Sequence, residues 1–298
     1  MKRLRIGFLL PDLRHSKSYM PRVMQALADA GAVVDVIHPL DRLIDLSTLR
    51  VEHDLYVLRQ MGGLAFSVAQ TLHELGAAIV NPYPVSAALS DKIVTSRILQ
   101  AAGVPMPATY VAAQADSLLP LLEAGPIIVK PYKGGGGEGI RIVRNAAELA
   151  EVPRGREPMF VQRYHPPAGR DRKIYAIGGR LFGVKKVFPR QTEEEKQGEP
   201  FELTPELREI AVRCGEAFGI DLYGIDIIES EGTPYVVDMF SIPGFKGVPN
   251  APLLLAAYFY AAAERASRGE RFRREVIGAP AIPQPDVSAR APEGAAHE

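Results

Sequence analysis

The chain has 298 residues, 47% of them hydrophobic and 23% charged, the makeup of a folded enzyme with room for two or three α/β lobes. Thirty-five basic side chains balance thirty-five acidic ones, so no overall field recruits nucleic acid or an anionic membrane, and any anion site has to be local. Cys214 is the single cysteine, which excludes an internal disulfide or a cysteine-held metal cluster and suits a reducing cytoplasm.

The basic opening Met-Lys-Arg-Leu-Arg5 precedes only the apolar run Ile6 to Leu10, too short for a secretory signal, and no later run approaches a membrane span. Short β-rich runs at 4–10, 32–38, 54–58 and 77–80 alternate with helical stretches at 20–30 and 64–75, the rhythm of a βαβ lobe covering residues 1–84. Its strand ends Leu10-Pro-Asp12 and Arg59-Gln-Met-Gly62-Gly63 are where open α/β sheets gather ligands. Arg59 is the candidate there for a substrate carboxylate or phosphate, a surface arginine being the alternative. Asn81-Pro-Tyr-Pro84 breaks the rhythm, and Ser90-Asp91 then caps a helix through Ala102 that stops at Gly103.

A small α+β lobe, 85–164, holds a strand at 108–112, a helix near 116–124, a strand running into Lys130 and a strand at 140–144, and Glu157 to Tyr164 lead out of it. A third lobe, 165–277, has strands at 172–178, 181–188, 222–229 and 234–240 covered by helices at 205–218 and 250–267. Cys214 falls on the apolar stripe of the first of these helices and reads as a buried residue, not a nucleophile. Residues 278–298, rich in proline, alanine and charge with no apolar period, read as a disordered tail.

Between the two strands of the small lobe, Lys130-Pro-Tyr-Lys133 is followed by Gly134, Gly135, Gly136, Gly137, Glu138 and Gly139. Such a run lets the backbone approach phosphate oxygens with its N–H groups while Lys130 supplies a fixed charge. No GK[ST] follows, and the run enters a strand instead of a helix, so neither the P-loop nor the dinucleotide fingerprint applies. A glycine-rich hairpin over a nucleotide fits, with a ligand-free hairpin tip as the bland alternative.

Tyr223 to Glu229 and Tyr235 to Phe240 flank the turn-rich Ser230-Glu-Gly-Thr-Pro234 and should pair as a hairpin. A turn centred on Gly232 makes partners sum to 464 and sets Asp226 opposite Asp238 on one face. Two facing carboxylates on otherwise apolar strands call for a hard divalent cation, magnesium first, unless a shifted register sends one aspartate to solvent. Lysine flap and carboxylate hairpin together describe Mg-ATP.

These segments, with Asp91-Lys92, Ala102 to Pro107, Val129-Lys130-Pro131, Val161 to Tyr164, Asp171-Arg-Lys173, Gly224-Ile-Asp226 and Val237 to Gly244, resemble the ATP-grasp superfamily over roughly residues 80 to 265. Within it the chain is similar to RimK-type carboxylate-amine (glutamate) ligases and, further off, to inositol polyphosphate kinases. The resemblance implies an ATP-grasp fold, α/β and α+β, in which the N-terminal βαβ lobe is followed by two α+β lobes clasping the nucleotide. It puts Lys92 and Lys130 on ATP phosphates, closes Gly134 to Gly139 over them, and gives adenine to the backbone of Gln162, Arg163 and Tyr164. Lys173 falls near the γ-phosphate, with Lys130 and Lys173 carrying catalysis, and Asp226 and Asp238 fall on the Mg²⁺ ligands. The implied reaction joins small-molecule or peptide carboxylate and amine substrates through an acylphosphate, releasing ADP and phosphate. A small-molecule kinase and a nucleotide-binding protein of reduced turnover are the rivals, and a homo-oligomer is left open.

Two departures stand out. Phe240 takes the place where the family pattern has an asparagine completing Mg²⁺ coordination. Lys185, Lys186 and Arg190, before a run of glutamates ending near Gly198, replace an acceptor-site segment, and read either as a grip on an anionic substrate or as a solvated loop. Arg141 and Arg163 carry the same two readings.

Overall fold

A computed structural model describes residues 3–10, 18–41, 43–59, 63–133, 139–153, 157–187 and 192–270. Asp12, Gln60 to Gly62, Gly134 to Gly137, Arg190 and the tail 278–298 lie outside the described residues.

The chain opens with β1 (Arg5–Leu9), α1 (Met20–Asp29), β2 (Val33–Ile37), β3 (Leu55–Leu58), α2 (Gly63–Glu74) and β4 (Ile79–Val80), whose strands form a parallel sheet in the order β2-β1-β3-β4. β3 is buried along its whole length because Leu55 and Val57 enter a core shared with α1 and with the helix at Ala251–Ser267 on one face, while α2 covers Tyr56 and Leu58 on the other. Residues 81–84 do not form a plain linker. Pro82 and Pro84 sit at the cap and first turn of α3 (Tyr83–Leu89), where a missing N–H costs nothing. α4 (Lys92–Ala101) is capped by the Asp91 carboxylate, which accepts from the N–H groups of Ile93 and Val94 at 2.9 and 3.3 Å.

The small lobe contains β5 (Thr109–Ala112), α5 (Leu119–Leu122), β6 (Ile127–Pro131), β7 (Arg141–Val143), α6 (Ala146–Ala150) and β8 (Met159–Arg163), its antiparallel sheet ordered β5-β8-β6-β7. The run from Glu157 to Tyr164, expected only to lead out of this lobe, contains an inner strand.

The remaining elements are β9 (Asp171–Ile177), β10 (Arg180–Lys186), α7 (Glu193–Gln197), β11 (Glu199–Phe201), α8 (Pro205–Phe218), β12 (Leu222–Ser230), β13 (Thr233–Phe240) and α9 (Ala251–Ser267), with strands in the antiparallel order β11-β10-β9-β12-β13. α8 packs on Ile174, Ala176, Tyr223 and Ile225, and Cys214 is buried there. α9 takes the opposite face, against Tyr175, Ile177 and Leu222, and also meets the N-terminal sheet, with Phe8 and Phe259 edge-to-face at 6.0 Å. One core thus runs from the N-terminal sheet into the C-terminal one, while the small lobe encloses a separate core around Leu118, Ile127, Val129 and Val161. No helix among the described residues is long and apolar enough to cross a membrane.

The stretch after β10 corrects the sequence reading. A capping box at Thr192 and Glu195 starts α7, and the chain then pairs with β10 as β11. Lys186, read as a grip on substrate or part of a solvated loop, is 4% exposed. Its ammonium donates to the Tyr175 hydroxyl at 3.1 Å and to the carbonyls of Lys196 and Lys246 at 2.7 and 3.0 Å. It fastens three segments together.

Candidate active site

The hairpin of β12 and β13 sets the carboxylates, by a route the sequence does not show. Glu231 and Gly232 both have positive φ, 50° and 78°, so the turn is a two-residue one, whose geometry favours glycine at its second place. Pairing therefore begins as Ser230 with Thr233 and continues to Ile227 with Val236, one residue out of step with a turn centred on Gly232. A β-bulge then absorbs Val237, and beyond it Asp226 faces Asp238 and Gly224 faces Phe240. The bulge restores the expected pairing and leaves the Val237 carbonyl 3.4 Å from the Lys130 ammonium.

Three lysines close on these carboxylates from three elements, β9, α4 and β6. β9 pairs Lys173 with Asp226, and the two side chains are ion-paired. Lys92, first residue of α4, stands 3.6 Å from the Asp238 carboxylate, and its backbone N–H donates to the Tyr132 carbonyl at 3.0 Å, joining α4 to the end of β6. Along β6, Ile127 and Val129 enter the small-lobe core, so alternation puts Ile128 and Lys130 on the other face, toward the cleft. The Lys130 ammonium donates to Gln162 Oε1 at 2.8 Å. Burial pushes its pKa down against the pull of Asp238, and burial pushes the Asp238 pKa up against the pull of Lys92. Removed from water, these groups lose much if left alone and gain much from an anionic, metal-bearing ligand.

The cleft these groups share has a volume of about 530 Å³ and lies between the sheets of the small and C-terminal lobes. Its farther wall is apolar, with Ile128, Ile142 and Ile228. His165 stacks on Tyr235 with ring centroids 4.3 Å apart and planes 22° from parallel. Burial, and then Arg163, hold the His165 pKa below its ordinary value.

Lys92, Lys130, Gln162, Arg163, Tyr164, Lys173, Asp226 and Asp238 all line this cleft. Gln162 is fully buried and reaches Lys130 with its side chain. The backbone N–H groups of Arg163 and Tyr164 already donate to Ala108 and Pro126 carbonyls at 2.8 and 3.0 Å. The Arg163 guanidinium, read either as a grip on an anionic substrate or as a solvated side chain, instead donates to the carbonyls of Leu121, Gly125 and Pro126. Gly139 is the one flap glycine among the described residues, beside Pro131. Sequence reasoning missed the His165 and Tyr235 stack, which joins residues seventy apart by number, and the isoleucine wall, for which alternation on β6 is the available signal.

Among the described residues no cluster of three or more His, Cys, Asp or Glu side chains assembles to hold a metal. Two facing carboxylates fit Mg²⁺, which takes its other ligands from phosphate oxygens and water. The Phe240 ring adds no donor. It lies 5.5 Å below the Lys173 ammonium, a cation–π contact that holds the lysine against Asp226.

Residues 89–252 match the family model of the RimK-like ATP-grasp domain. A protein of Thioalkalivibrio sulfidiphilus (strain HL-EbGR7) named "Probable alpha-L-glutamate ligase" is 27% identical over 266 residues, covering 80% of this chain and 88% of that one. Of solved structures, a RimK domain ATP-grasp protein from Sphaerobacter thermophilus DSM 20745 superposes with a TM-score of 0.71 at 18% identity, over 87% of this chain and 98% of that one. The ATP-grasp ligase PsnB, solved with a minimal precursor, Mg and ADP, superposes with a TM-score of 0.66 at 17% identity, over 88% and 99% of the two chains.

Proposed function

The chain belongs to the RimK-like ATP-grasp domain family and is an ATP-dependent ligase, and we propose that it joins a carboxylate to an amine through an acylphosphate, with L-glutamate or a glutamate-bearing peptide as the substrate class. The observation that carries this reading is the meeting of Lys92, Lys130 and Lys173 with the facing Asp226 and Asp238 in one cleft. The use of glutamate rests on the name of the Thioalkalivibrio relative, and Mg²⁺ with a nucleotide on the PsnB complex.

A substrate carboxylate oxygen attacks the γ-phosphorus as the bond to the β-phosphate oxygen breaks, releasing ADP. The amine nitrogen then attacks the acyl carbon, phosphate leaves, and the nitrogen loses a proton. No protein nucleophile is needed, because positioning and charge supply the catalysis. Lys130, fixed between Gln162 and the Val237 carbonyl, meets phosphate oxygens from the small lobe. Lys173 meets the transferring group from the C-terminal sheet, exchanging its hold on Asp226 for the charge that develops there. Asp226 and Asp238 would hold Mg²⁺, which when bound supplies neutralisation of the phosphate charge. The isoleucines and the His165 ring, which Tyr235 backs by stacking, offer a flat berth for adenine.

The test is calorimetric titration of the protein with a non-hydrolysable ATP analogue, with and without Mg²⁺, beside Lys130→Ala. Magnesium-dependent binding that weakens about ten- to hundred-fold in the variant is expected for loss of a charged phosphate contact. No binding by the wild type would overturn the reading. In turnover assays with candidate acids and amines, a stable phosphorylated acceptor in place of an amide would overturn the ligase chemistry.

A further inference from the structure

Arg59 directly follows β3, and its backbone N–H donates to the Leu9 carbonyl at 3.1 Å, beside the end of β1. In the order β2-β1-β3-β4 the connections leave β1 and β3 in opposite directions, to β2 and to β4, so the gap between the carboxyl ends of β1 and β3 is the switch point at which open parallel sheets bind ligands. Leu55 and Val57 face the core shared with the C-terminal lobe, while Tyr56 and Leu58 face α2. The same alternation carries Arg59 to the side of Val57, toward the face of the C-terminal sheet that also bears Tyr175, Lys173 and Asp226.

The Arg59 Nε is buried and makes no hydrogen bond. Burial pushes the pKa of this guanidinium down, and no carboxylate among the described residues offsets it. A guanidinium withdrawn from water in this way is costly unless an anion meets it. Arg59 does not itself line the cleft, but the end of β3 adjoins the cleft wall through one neighbouring strand. β4 lies beside β3, with Val80 opposite Val57, and Asn81 after β4 donates to the carbonyl of Ser241, the neighbour of Phe240 in the cleft wall. One strand spacing, about 4.8 Å, separates β3 from that buttress.

We propose that Arg59 anchors a carboxylate of the substrate that takes no part in the new bond, so that the ligase selects a dicarboxylate, or an amino acid or peptide carrying a second carboxylate. This rests on the ligase reading, since the reacting carboxylate belongs beside Lys173 and the aspartates, and the anion at the sheet end must be another. A planar guanidinium binds such a group in two parallel hydrogen bonds, which fixes the substrate's orientation as well as its charge.

A sheltered Nε–H exchanges slowly with water and gives its own proton–nitrogen resonance, which Arg59→Lys, retaining the charge, assigns by its loss. The full chain, with the non-hydrolysable ATP analogue and Mg²⁺, is titrated with glutarate, with L-glutamate and with butylamine as a cationic control. The expected result is a saturable downfield shift of the Arg59 resonance with the acids and none with butylamine, and an acid affinity about ten-fold or more weaker in Arg59→Gln. A resonance unmoved by both acids, or an acid affinity unchanged in Arg59→Gln, overturns the assignment while nucleotide binding leaves the ligase reading standing. Failure of the nucleotide to bind the wild type overturns both.

Discussion

Replacing Gly224 with alanine should lower stability and magnesium-dependent nucleotide affinity together. Gly224 faces Phe240 across the hairpin, and a Cβ there would stand 2.7 Å from Pro243 Cγ, 3.1 Å from Tyr175 Cδ1 and 3.3 Å from Pro243 Cβ. Neither neighbour is a loose chain end. The proline ring is fixed to the backbone, and the tyrosine ring is buried with its hydroxyl bonded to Lys186. Overpacking of this kind costs about 1–3 kcal/mol. Removing a glycine from a strand interior returns about 0.5–1 kcal/mol of chain entropy. The middle of each range leaves a net loss of about 1.3 kcal/mol, which at about 2 °C per kcal/mol for a chain of this size lowers Tm by about 2–3 °C in scanning calorimetry. Because Pro243 retreats with the strand end that carries Asp238, calorimetric titration should show the Mg²⁺-dependent part of analogue binding weakened more than the Mg²⁺-free part. An unchanged or raised Tm would refute the argument that close approach of Pro243 requires glycine at 224.

Asp226→Asn should abolish the Mg²⁺-dependent gain in analogue affinity and leave Mg²⁺-free binding through Lys130; an undiminished magnesium effect in the same titration would count against the carboxylate pair as the metal's holder. Asn81→Leu removes donors to the carbonyls of Leu222 and Ser241, at 2.7 and 3.2 Å, and should cost about 2 kcal/mol in guanidinium unfolding; an unmoved midpoint would contradict it. Burial pushes the Cys214 thiol up to about 12, so at pH 8 about one thiol in ten thousand is ionised, and iodoacetamide should label the unfolded chain but not the native one. The sign for stability follows. Above about pH 8.5 the unfolded chain sheds a proton that the folded chain keeps, so this group's contribution falls as pH rises toward about 12, and a denaturation midpoint that rose across that window would argue against burial of the thiol.

Regular periodicity made much of the fold legible. The helix at 205–218 and the burial of Cys214 follow from an apolar stripe, and β1, β3 and the β12–β13 hairpin from continuous or alternating runs. What escaped lies where tertiary contacts decide. The expected pairing of Asp226 with Asp238 assumed a turn on Gly232; the turn falls on Glu231 and Gly232, and the bulge at Val237, which has no local sequence signature, makes up the difference. Lys186 sits before a run of charges and reads as solvated, yet its acceptors are carbonyls at Lys196 and Lys246, which no spacing rule links to it. Arg163 looks like an anion contact until the carbonyls at the end of α5 and after it claim its guanidinium. Polar side chains satisfied by backbone are the hardest to place, because any carbonyl serves.

A core shared by the N-terminal and C-terminal sheets, beside a small-lobe core that shares no residue with it, gives the molecule the mechanics of a door on a solid frame. The N-terminal sheet, α9 and the C-terminal sheet share one apolar interior, so the carboxylates and the end of β3 ride on a single stiff body. The panel that carries Lys130 is braced from within by its own interior and held to the frame by polar latches, among them Val236 N–H to the Pro105 carbonyl at 2.9 Å and the Lys130 ammonium to the Val237 carbonyl. Swinging that panel breaks hydrogen bonds but parts no core, which makes opening a low-energy event compared with unfolding either body. Hydrogen exchange would see this as latch amides that exchange ahead of the amides of β6 and β12, at a rate that slows when nucleotide spans panel and frame.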